Sequence, residues 1–244
     1  FHVEINLHYF LTQKILSEKI VGEPEFARFT YERWRDGTRP NLNKYPLTMK
    51  HPMLWEQSIH HFDLMRLMMG CNPIRVMASA GQDANHLDEV YEGRRSDILD
   101  NGYVIVDFEN GARAMLELCM FAEGSRYQEE ITAVGPNGKI ECFVPGPGRF
   151  WPTEMGAAPI AKLVESPRSP MGPRELDIPV DPDLLEAGDH NGSTFYQHQK
   201  FNAAVRGKCA VEVSVNDGDW AVAMGLAAQK SAETGQSVLM GEFI

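Results

Sequence analysis

Residues 55–70, WEQSIHHFDLMRLMMG, form the stretch that most restricts how this chain can fold. At about 100° per residue, a helix over this stretch is apolar on nearly every face. The apolar side chains are Ile59, Phe62, Leu64, Met65, Met68 and Met69. A helix that is apolar almost all round is stable only when protein surrounds it. The rest of the chain must therefore supply a layer large enough to bury it.

The same helix carries ionisable side chains along one stripe. Glu56, His60 and Asp63 fall within about 60° of one another, at the i+4 and i+3 spacings that bring side chains together, and Leu67 continues the stripe. An imidazole between two carboxylates is a candidate acid/base group. The spacing alone fits equally well a structural histidine in the core, with Glu56 favoured by the positive end of the helix dipole.

The segment from Glu56 to Asp63 resembles the D-x-G-x-H-x-x-D signature of the Gfo/Idh/MocA oxidoreductases. Glu56 stands where Asp is usual, and Ser58 stands where Gly is usual. The resemblance extends to a helix–Gly–strand opening at 11–34, an Asn-Gly-Ala hairpin at 110, a Val-Gly-Pro-Asn-Gly-Lys turn near 136 and closing helices over 193–235. It implies an α+β fold, an open and mainly antiparallel β-sheet with helices packed on one face.

The chain of 244 residues has a formal net charge of −11, with no cluster of Lys or Arg. This charge argues against nucleic acid or an anionic membrane as a partner, since either would require a basic patch. No apolar run has transmembrane length, and no signal peptide is evident. The four Cys are scattered without C-x-x-C pairs, which favours reduced thiols in the cytoplasm.

The sequence begins FHVEINLHYF, without a start Met, and contains no G-x-G-x-x-G turn between a strand and a helix. The Gly-rich stretches 135–138 and 146–148 are predicted to form a hairpin and a Pro-rich loop, so neither provides a pyrophosphate site. The resemblance implies that a domain binding NAD or NADP, with a catalytic lysine, precedes Phe1. Residues 1–244 would then form a single substrate-binding and oligomerisation domain.

Alternating apolar and polar residues predict most of the sheet. A short helix over 9–19 and a strand ending near Trp34 are followed by strands over 74–80, 103–108, 112–121, 129–134 and 139–144, which we expect to form an antiparallel meander. In 112–120, the even-numbered residues are all apolar, so one face is buried. The other face includes Met115, Cys119 and Phe121. The resemblance implies a homo-oligomer, dimer or tetramer, formed through this sheet.

The remaining segments are read from their turn and capping residues. The Pro-rich segment 145–182 is expected to form a long excursion with one short strand over 175–180. A helix over 194–206 is predicted with Ser193 as N-cap and Gly207 as its stop. The last helix is predicted with Asn216 as N-cap, a staple between Val215 and Trp220, and its end at Gly235. An edge strand is expected over 237–240.

Substrate contacts outside the central helix come from the resemblance. Its register places Arg39 and Asn41, in a polar loop, within reach of a polyol. It also implies that the polar segment before the helix over 194–206 borders the substrate pocket, which makes His190 and Tyr196 candidates for hydroxyl contacts.

The function that the resemblance implies is a dehydrogenase using NAD or NADP, acting on a secondary hydroxyl of a sugar, inositol or related polyol. His60 would accept the proton, Glu56 would hold a hydroxyl or orient the His60 ring, and Asp63 could fix its tautomer. Two alternatives stay open. One is a non-catalytic sugar-binding or regulatory relative. The other is a metal-dependent isomerase or hydrolase with Glu56, His60 and Asp63 as ligands.

Overall fold

The computed structural model describes residues 13–32, 58–91, 93–96, 99–122, 124–146, 148, 151–186 and 192–244. Glu56, Arg39, Asn41 and His190 lie outside these residues, as does the predicted loop before the central helix.

A single large sheet organises the described residues. The strands are β1 Phe26–Glu32, β2 Pro73–Gly81, β3 Val90–Tyr91, β4 Arg94–Arg95, β5 Asn101–Phe108, β6 Arg113–Cys119, β7 Glu129–Gly135, β8 Gly138–Val144, β9 Ala161–Pro167, β10 Arg174–Ile178 and β11 Val238–Leu239. Nine of them form one sheet in the order β10-β9-β8-β7-β1-β6-β5-β2-β11, while β3 and β4 pair separately. The predicted open, mainly antiparallel sheet is confirmed.

The prediction of a simple meander is wrong at one place. β6 does not pair with β7, because β1 lies between them, parallel to β6 and antiparallel to β7. The pairing joins residues more than 80 positions apart, for example Phe29 with Leu116. Local alternation identifies strands but carries no information on such distant partners.

The Pro-rich segment also differs from the prediction. The predicted short strand is present as β10, but a second strand, β9, is an addition to the prediction, and the two extend the sheet beyond β8. Charged pairs cross between these strands, with Nζ of Lys162 3.4 Å from Oε2 of Glu175 and 3.7 Å from Oδ1 of Asp177. β10 is mostly exposed and carries Arg174, Glu175 and Asp177, a composition that resembles that of a loop.

Four α-helices lie within the described residues: α1 Ile59–Met69, α2 Pro182–Glu186, α3 Ser193–Val205 and α4 Val215–Thr234. α1 packs against α4, and α4 packs against β2. The predicted central helix is confirmed over α1, which ends at Gly70 in the left-handed conformation (φ 66°). The predicted helix over 9–19 is represented by a π-helical turn, Gln13–Ser17.

The starts of the last two long helices correct the predicted caps. α3 has Gly192 as N-cap, at φ 83°, and Ser193 is its first helical residue. α4 has Ser214 as N-cap, and Ser214 forms a capping box with Asp217, so Asn216 lies inside the helix. At this helix start, which lies within the described residues, the predicted hydrophobic staple is absent. A staple requires an apolar residue before the N-cap, and Val215 is instead the first helical residue. The end at Gly235 and an edge strand, β11, are as predicted.

The core lies between the sheet and the helices. Alternate residues of the central strands face it and are fully or almost fully buried: Val104, Val106, Phe108, Ala114, Leu116, Leu118, Ile131, Ala133, Ile140 and Cys142. From α1, Phe62, Leu64, Met65, Met68 and Met69 are buried against them, as the apolar pattern predicts. In the described part of the chain, no helix is long and apolar enough to cross a membrane.

Candidate functional site

α1 runs between the two ends of the strands. Its last turn meets the end of the sheet where β2 begins, since the backbone N–H of Glu109 donates to the carbonyl of Asn72 (3.1 Å) and the Asn110 side chain donates to the carbonyl of Met69 (3.1 Å). Its first turn meets the opposite end, at the start of β7, through the contact of His61 with Glu129. His60 therefore lies at the end of the sheet where β7 begins.

His60 is half-buried in the first turn of α1, while His61 is buried. The Nε2 atom of His61 lies 3.8 Å from Oε2 of Glu129, and the edge of its ring meets Phe29 with the ring centroids 6.5 Å apart. His61 therefore faces the sheet. Successive helical residues are rotated by about 100° about the helix axis. His60 therefore points about 100° away from the sheet-facing side of α1. A half-buried imidazole beside a buried core is suitably located to transfer a proton.

Asp63 lies one turn further along α1, in a cleft against the start of α4. The cleft has a volume of about 460 Å³. It is lined by Asp63, Arg66, Leu67, Gly70, Cys71, Asn72, Glu109, Glu212, Val213 and Asp217. The predicted stripe of Asp63 and Leu67 thus opens onto a polar cleft, which explains why Leu67 is 47% exposed on an otherwise buried helix.

The two aspartates of the cleft, Asp63 and Asp217, differ in how far neighbouring groups compensate their charge. Burial and the nearby Asp217 raise the pKa of Asp63 from 3.8 to about 6, although Arg66 opposes the change. Hydrogen bonds from Ser214 and Arg66 lower the pKa of Asp217 to about 2. Arg66 Nη1 donates to Oδ1 of Asp217 at 2.5 Å, and the guanidinium lies 5.7 Å from the centroid of the Trp220 ring. Arg66 is therefore committed mainly to Asp217, and Asp63 keeps its proton to unusually high pH.

Of the other predicted site residues, Tyr196 is described. It lies in the first turn of α3, half-buried, with its ring edge-on to Phe195 at 5.5 Å between centroids. Four further residues near the candidate site, His61, Glu129, Arg66 and Asp217, are not predicted by the sequence pattern. Two signals existed: Glu129 begins a strongly apolar strand, and Arg66 is three residues from Asp63 on the same helix face.

The described residues do not provide a binding site for a dinucleotide. None of the helix starts in the described ranges follows a strand through a G-x-G-x-x-G turn, and β1 with β6 is the one parallel pair among the described strands. Within the same ranges, no three His, Cys, Asp or Glu side chains converge as metal ligands would. The residues described here therefore do not fit NAD or NADP by themselves.

Comparison with solved structures shows the fold widely shared. The chain superimposes over its full length on an oxidoreductase from Agrobacterium radiobacter in complex with NAD+, L-tartaric acid and magnesium, with 15% identity, a TM-score of 0.71 and 64% of that chain covered. It matches scyllo-inositol dehydrogenase from Lactobacillus casei with bound NAD(H) and scyllo-inositol over 97% of this chain and 62% of that chain, at 17% identity and a TM-score of 0.67.

Aldose-aldose oxidoreductase from Caulobacter crescentus, complexed with glycerol, matches 98% of this chain and 62% of its own length, at 14% identity and a TM-score of 0.61. The chain thus spans less than two thirds of the length of these structures. A search of curated protein sequences found no match.

The sequence model of the oxidoreductase family C-terminal alpha/beta domain, the Gfo/Idh/MocA type, matches residues 25–240. This range includes the sheet from β1 to β11 and all four α-helices. The chain therefore belongs to the Gfo/Idh/MocA oxidoreductase family, whose C-terminal alpha/beta domain it contains.

Proposed function

We propose that residues 1–244 form the substrate-binding and oligomerisation domain of an oxidoreductase that uses NAD or NADP and acts on a secondary hydroxyl of a sugar, inositol or related polyol. The observation that carries the proposal is the position of His60. It is half-buried in the first turn of α1, in a chain of the oxidoreductase family, and within the motif that resembles the family signature.

The contribution of this chain is the movement of a proton. Oxidation of a secondary alcohol removes a hydride from carbon and a proton from oxygen, and His60 would accept the proton from the substrate hydroxyl. Histidine suits this step because its ordinary pKa lies close to neutral pH. The hydride acceptor, NAD or NADP, would be held by a nucleotide-binding domain outside residues 1–244, in keeping with the poor fit of the described residues to a dinucleotide.

The other predicted residues would hold and orient the substrate. Glu56 would bind a hydroxyl or orient the His60 ring, and Arg39, Asn41 and His190 would contact further hydroxyls. Tyr196, which is half-buried at the start of α3, would make a similar contact. Asp63, one turn further along α1, would fix the tautomer of His60.

The substrate class is supported by the ligands in the names of the structural relatives. Those ligands are scyllo-inositol, glycerol and L-tartaric acid, all small molecules with several hydroxyl groups. We therefore assign this chain a polyhydroxylated substrate of similar size.

The test is His60→Ala in the full-length protein, assayed against a panel of inositols, aldoses and sugar alcohols. We expect turnover to fall by about 10² to 10⁴, with the cofactor dissociation constant unchanged, because the residue transfers a proton and does not touch the dinucleotide. The matched control is His198→Ala, which removes an exposed histidine from α3. Wild-type turnover in His60→Ala would refute the proton-transfer role. A wild-type protein that binds one of these compounds in calorimetry but never turns it over would favour the non-catalytic alternative.

We also propose that the chain forms a homo-oligomer through the outer face of the sheet. On this face, Tyr103 is 53% exposed and Ile105 is 40% exposed, beside Met77 and Met115 on the neighbouring strands. Adjacent exposed apolar residues at the centre of an open sheet are a common feature of self-association surfaces.

The oligomer is tested with Ile105→Lys. A lysine buried in an interface without a partner costs several kcal/mol, so sedimentation should show dissociation at concentrations where the wild type is assembled. Leu226→Lys, at a similarly exposed position on α4 on the opposite side of the sheet, is the control and should leave assembly intact. A monomeric wild type, or an unchanged Ile105→Lys oligomer, would contradict the proposal. Cys119→Lys, at the end of β6 on the same face, should have the same effect.

A further inference from the structure

A buried pair of ionisable residues joins α1 to the sheet. The Nε2 atom of His61 is 3.8 Å from Oε2 of Glu129, and the two side chains are only 4% and 7% exposed. Glu129 occupies the inner face of β7, in the same alternation as Ile131 and Ala133, which are apolar and buried. A carboxylate thus takes a position for which an apolar side chain would be the ordinary choice.

Stability does not account for this choice. A buried carboxylate is costly to desolvate, and the attraction of a nearby imidazole offsets that cost only in part. Replacement of such a pair by packed apolar residues is often neutral or stabilising. The best-supported use of a buried ionisable pair is to select one arrangement of the elements that carry it.

The apolar packing of α1 leaves such a selection to be made. Met65, Met68 and Met69 supply much of the buried face, and methionine is flexible and fills irregular space without demanding one geometry. Methionine packing therefore fixes the rotation of the helix about its axis poorly. The His61 ring, by contrast, is held between Glu129 and the Phe29 ring.

We propose that His61 and Glu129 are positioning residues that set the rotation of the first turn of α1 and thereby the direction of His60. His60 is the preceding residue on the same turn, so any rotation that displaces His61 displaces His60 by the same angle. The inference rests on the proposed function of His60 as the proton-transferring group. It assigns to Glu129 an effect on turnover although Glu129 lies behind α1, on the sheet.

The first experiment compares Glu129→Gln with two matched controls in the full-length protein. Glu130→Gln changes the next residue, which faces the outer side of the sheet near Arg28. Glu165→Gln changes another buried carboxylate. Glu165 lies on β9, remote from α1, and pairs with Lys14 at 3.0 Å. Because a displacement of about 1 Å in a catalytic group can cost up to about 10²-fold in rate, we expect kcat to fall by at least about tenfold in Glu129→Gln alone, with KM and melting temperature little changed.

Variants of His61 distinguish positioning from a general effect on stability. His61→Gln keeps an N–H donor at the end of the side chain and should retain most of the turnover, whereas His61→Leu should lose as much as Glu129→Gln. The double variant of Glu129→Gln with His61→Leu should lose no more than either single change, because both remove the same contact. Additive losses, or an equal loss of kcat in Glu165→Gln, would overturn the proposal.

A readout that needs no substrate separates this inference from the proposed function. Diethyl pyrocarbonate acylates accessible imidazoles, and tandem mass spectrometry resolves the modification of His60 from that of His61. The rate for His60 should change severalfold in Glu129→Gln and stay at the wild-type value in Glu130→Gln and Glu165→Gln. An unchanged rate in Glu129→Gln would refute the positioning role, whatever the activity assay shows. A changed rate together with wild-type turnover in His60→Ala would instead refute only the proposed function.

Discussion

Replacement of Asp63 by asparagine should stabilise the protein at neutral pH and remove part of the pH dependence of its folding. Asp63 is half-buried in the cleft between α1 and α4, and burial, reinforced by Asp217, raises its pKa from 3.8 to about 6. The carboxyl group in the folded chain therefore holds its proton up to a pH at which the unfolded chain has already released it.

The sign follows from proton linkage. Between pH 4 and 6, the folded state binds more protons at Asp63 than the unfolded state, so the free energy of unfolding falls as the pH rises through this window. The contribution is fully present below about pH 3.8 and is lost above pH 6. The interval from 3.8 to about 6, at 1.36 kcal/mol per pH unit, sets an upper limit of about 3 kcal/mol. Since the cleft is open to water, we expect about 1 to 2 kcal/mol.

The assay is urea unfolding of wild type and Asp63→Asn at a series of pH values from 4 to 8. The two should be similar near pH 4, and the variant should be more stable by about 1 to 2 kcal/mol at pH 7. The exposed Asp88→Asn serves as control. Asp217 titrates in a separate window, because its pKa of about 2 is lowered and its contribution is lost only as the pH falls below about 4. Equal stability of Asp63→Asn and wild type at pH 7 would refute the argument.

Three further changes test individual polar contacts. Ser58 is completely buried at the start of α1 and its hydroxyl has no hydrogen-bond partner within the described residues, so Ser58→Ala should raise stability by about 1 kcal/mol in urea unfolding, and a loss would contradict this. Ser214→Ala removes the capping box of α4 and should lower stability by about 1 kcal/mol, whereas Asn216→Ala should not. Asp100 accepts three backbone hydrogen bonds, from Asp83, Ala84 and Asn85, so Asp100→Ala should accelerate amide hydrogen exchange at these residues and unchanged exchange would count against the contact.

The elements that the sequence predicts well are those whose pattern is set by burial on one side. β6 alternates between buried Ala114, Leu116 and Leu118 and more exposed residues, and α1 is buried on nearly every face. In both cases the periodicity follows directly from contact with the core. The short strand expected over 175–180 is present as β10, whereas β9, which follows several prolines, is not predicted by the sequence. β9 is held by pairing with β8 on one side and β10 on the other, and local sequence does not specify these partners.

The caps show a different limit. Ser214 and Asn216 are both favourable N-cap residues, and the local sequence pattern predicts Asn216 as the cap. The structure favours Ser214 because Asp217, three residues on, accepts hydrogen bonds from both the backbone N–H and the hydroxyl of Ser214. The deciding signal is therefore the reciprocal pair rather than the capping residue alone.

The candidate site likewise has a part that the local sequence predicts and a part that it does not. Helical spacing places His60 and Asp63 on one stripe of α1, and this is a local property. The pKa of Asp63 depends on its burial and on Asp217, more than 150 positions later, and His61 contacts Glu129 in β7. Tertiary packing alone brings these groups together, so the sequence identified the reactive candidates without the residues that tune or orient them.

The two ends of α1 are held by polar contacts of different kinds, and this difference determines which end can affect His60. At the last turn, Arg66 donates to Asp217 and to Asn72 (2.9 Å from Nε), in an open cleft where water can replace a lost partner. At the first turn, the contact of His61 with Glu129 is shielded from water, so no solvent molecule readily substitutes for either group. Loss of a contact of Arg66 at the last turn is therefore relieved locally, six residues from His60. Loss of the buried pair must be relieved by movement of the first turn itself, and His60 moves with it.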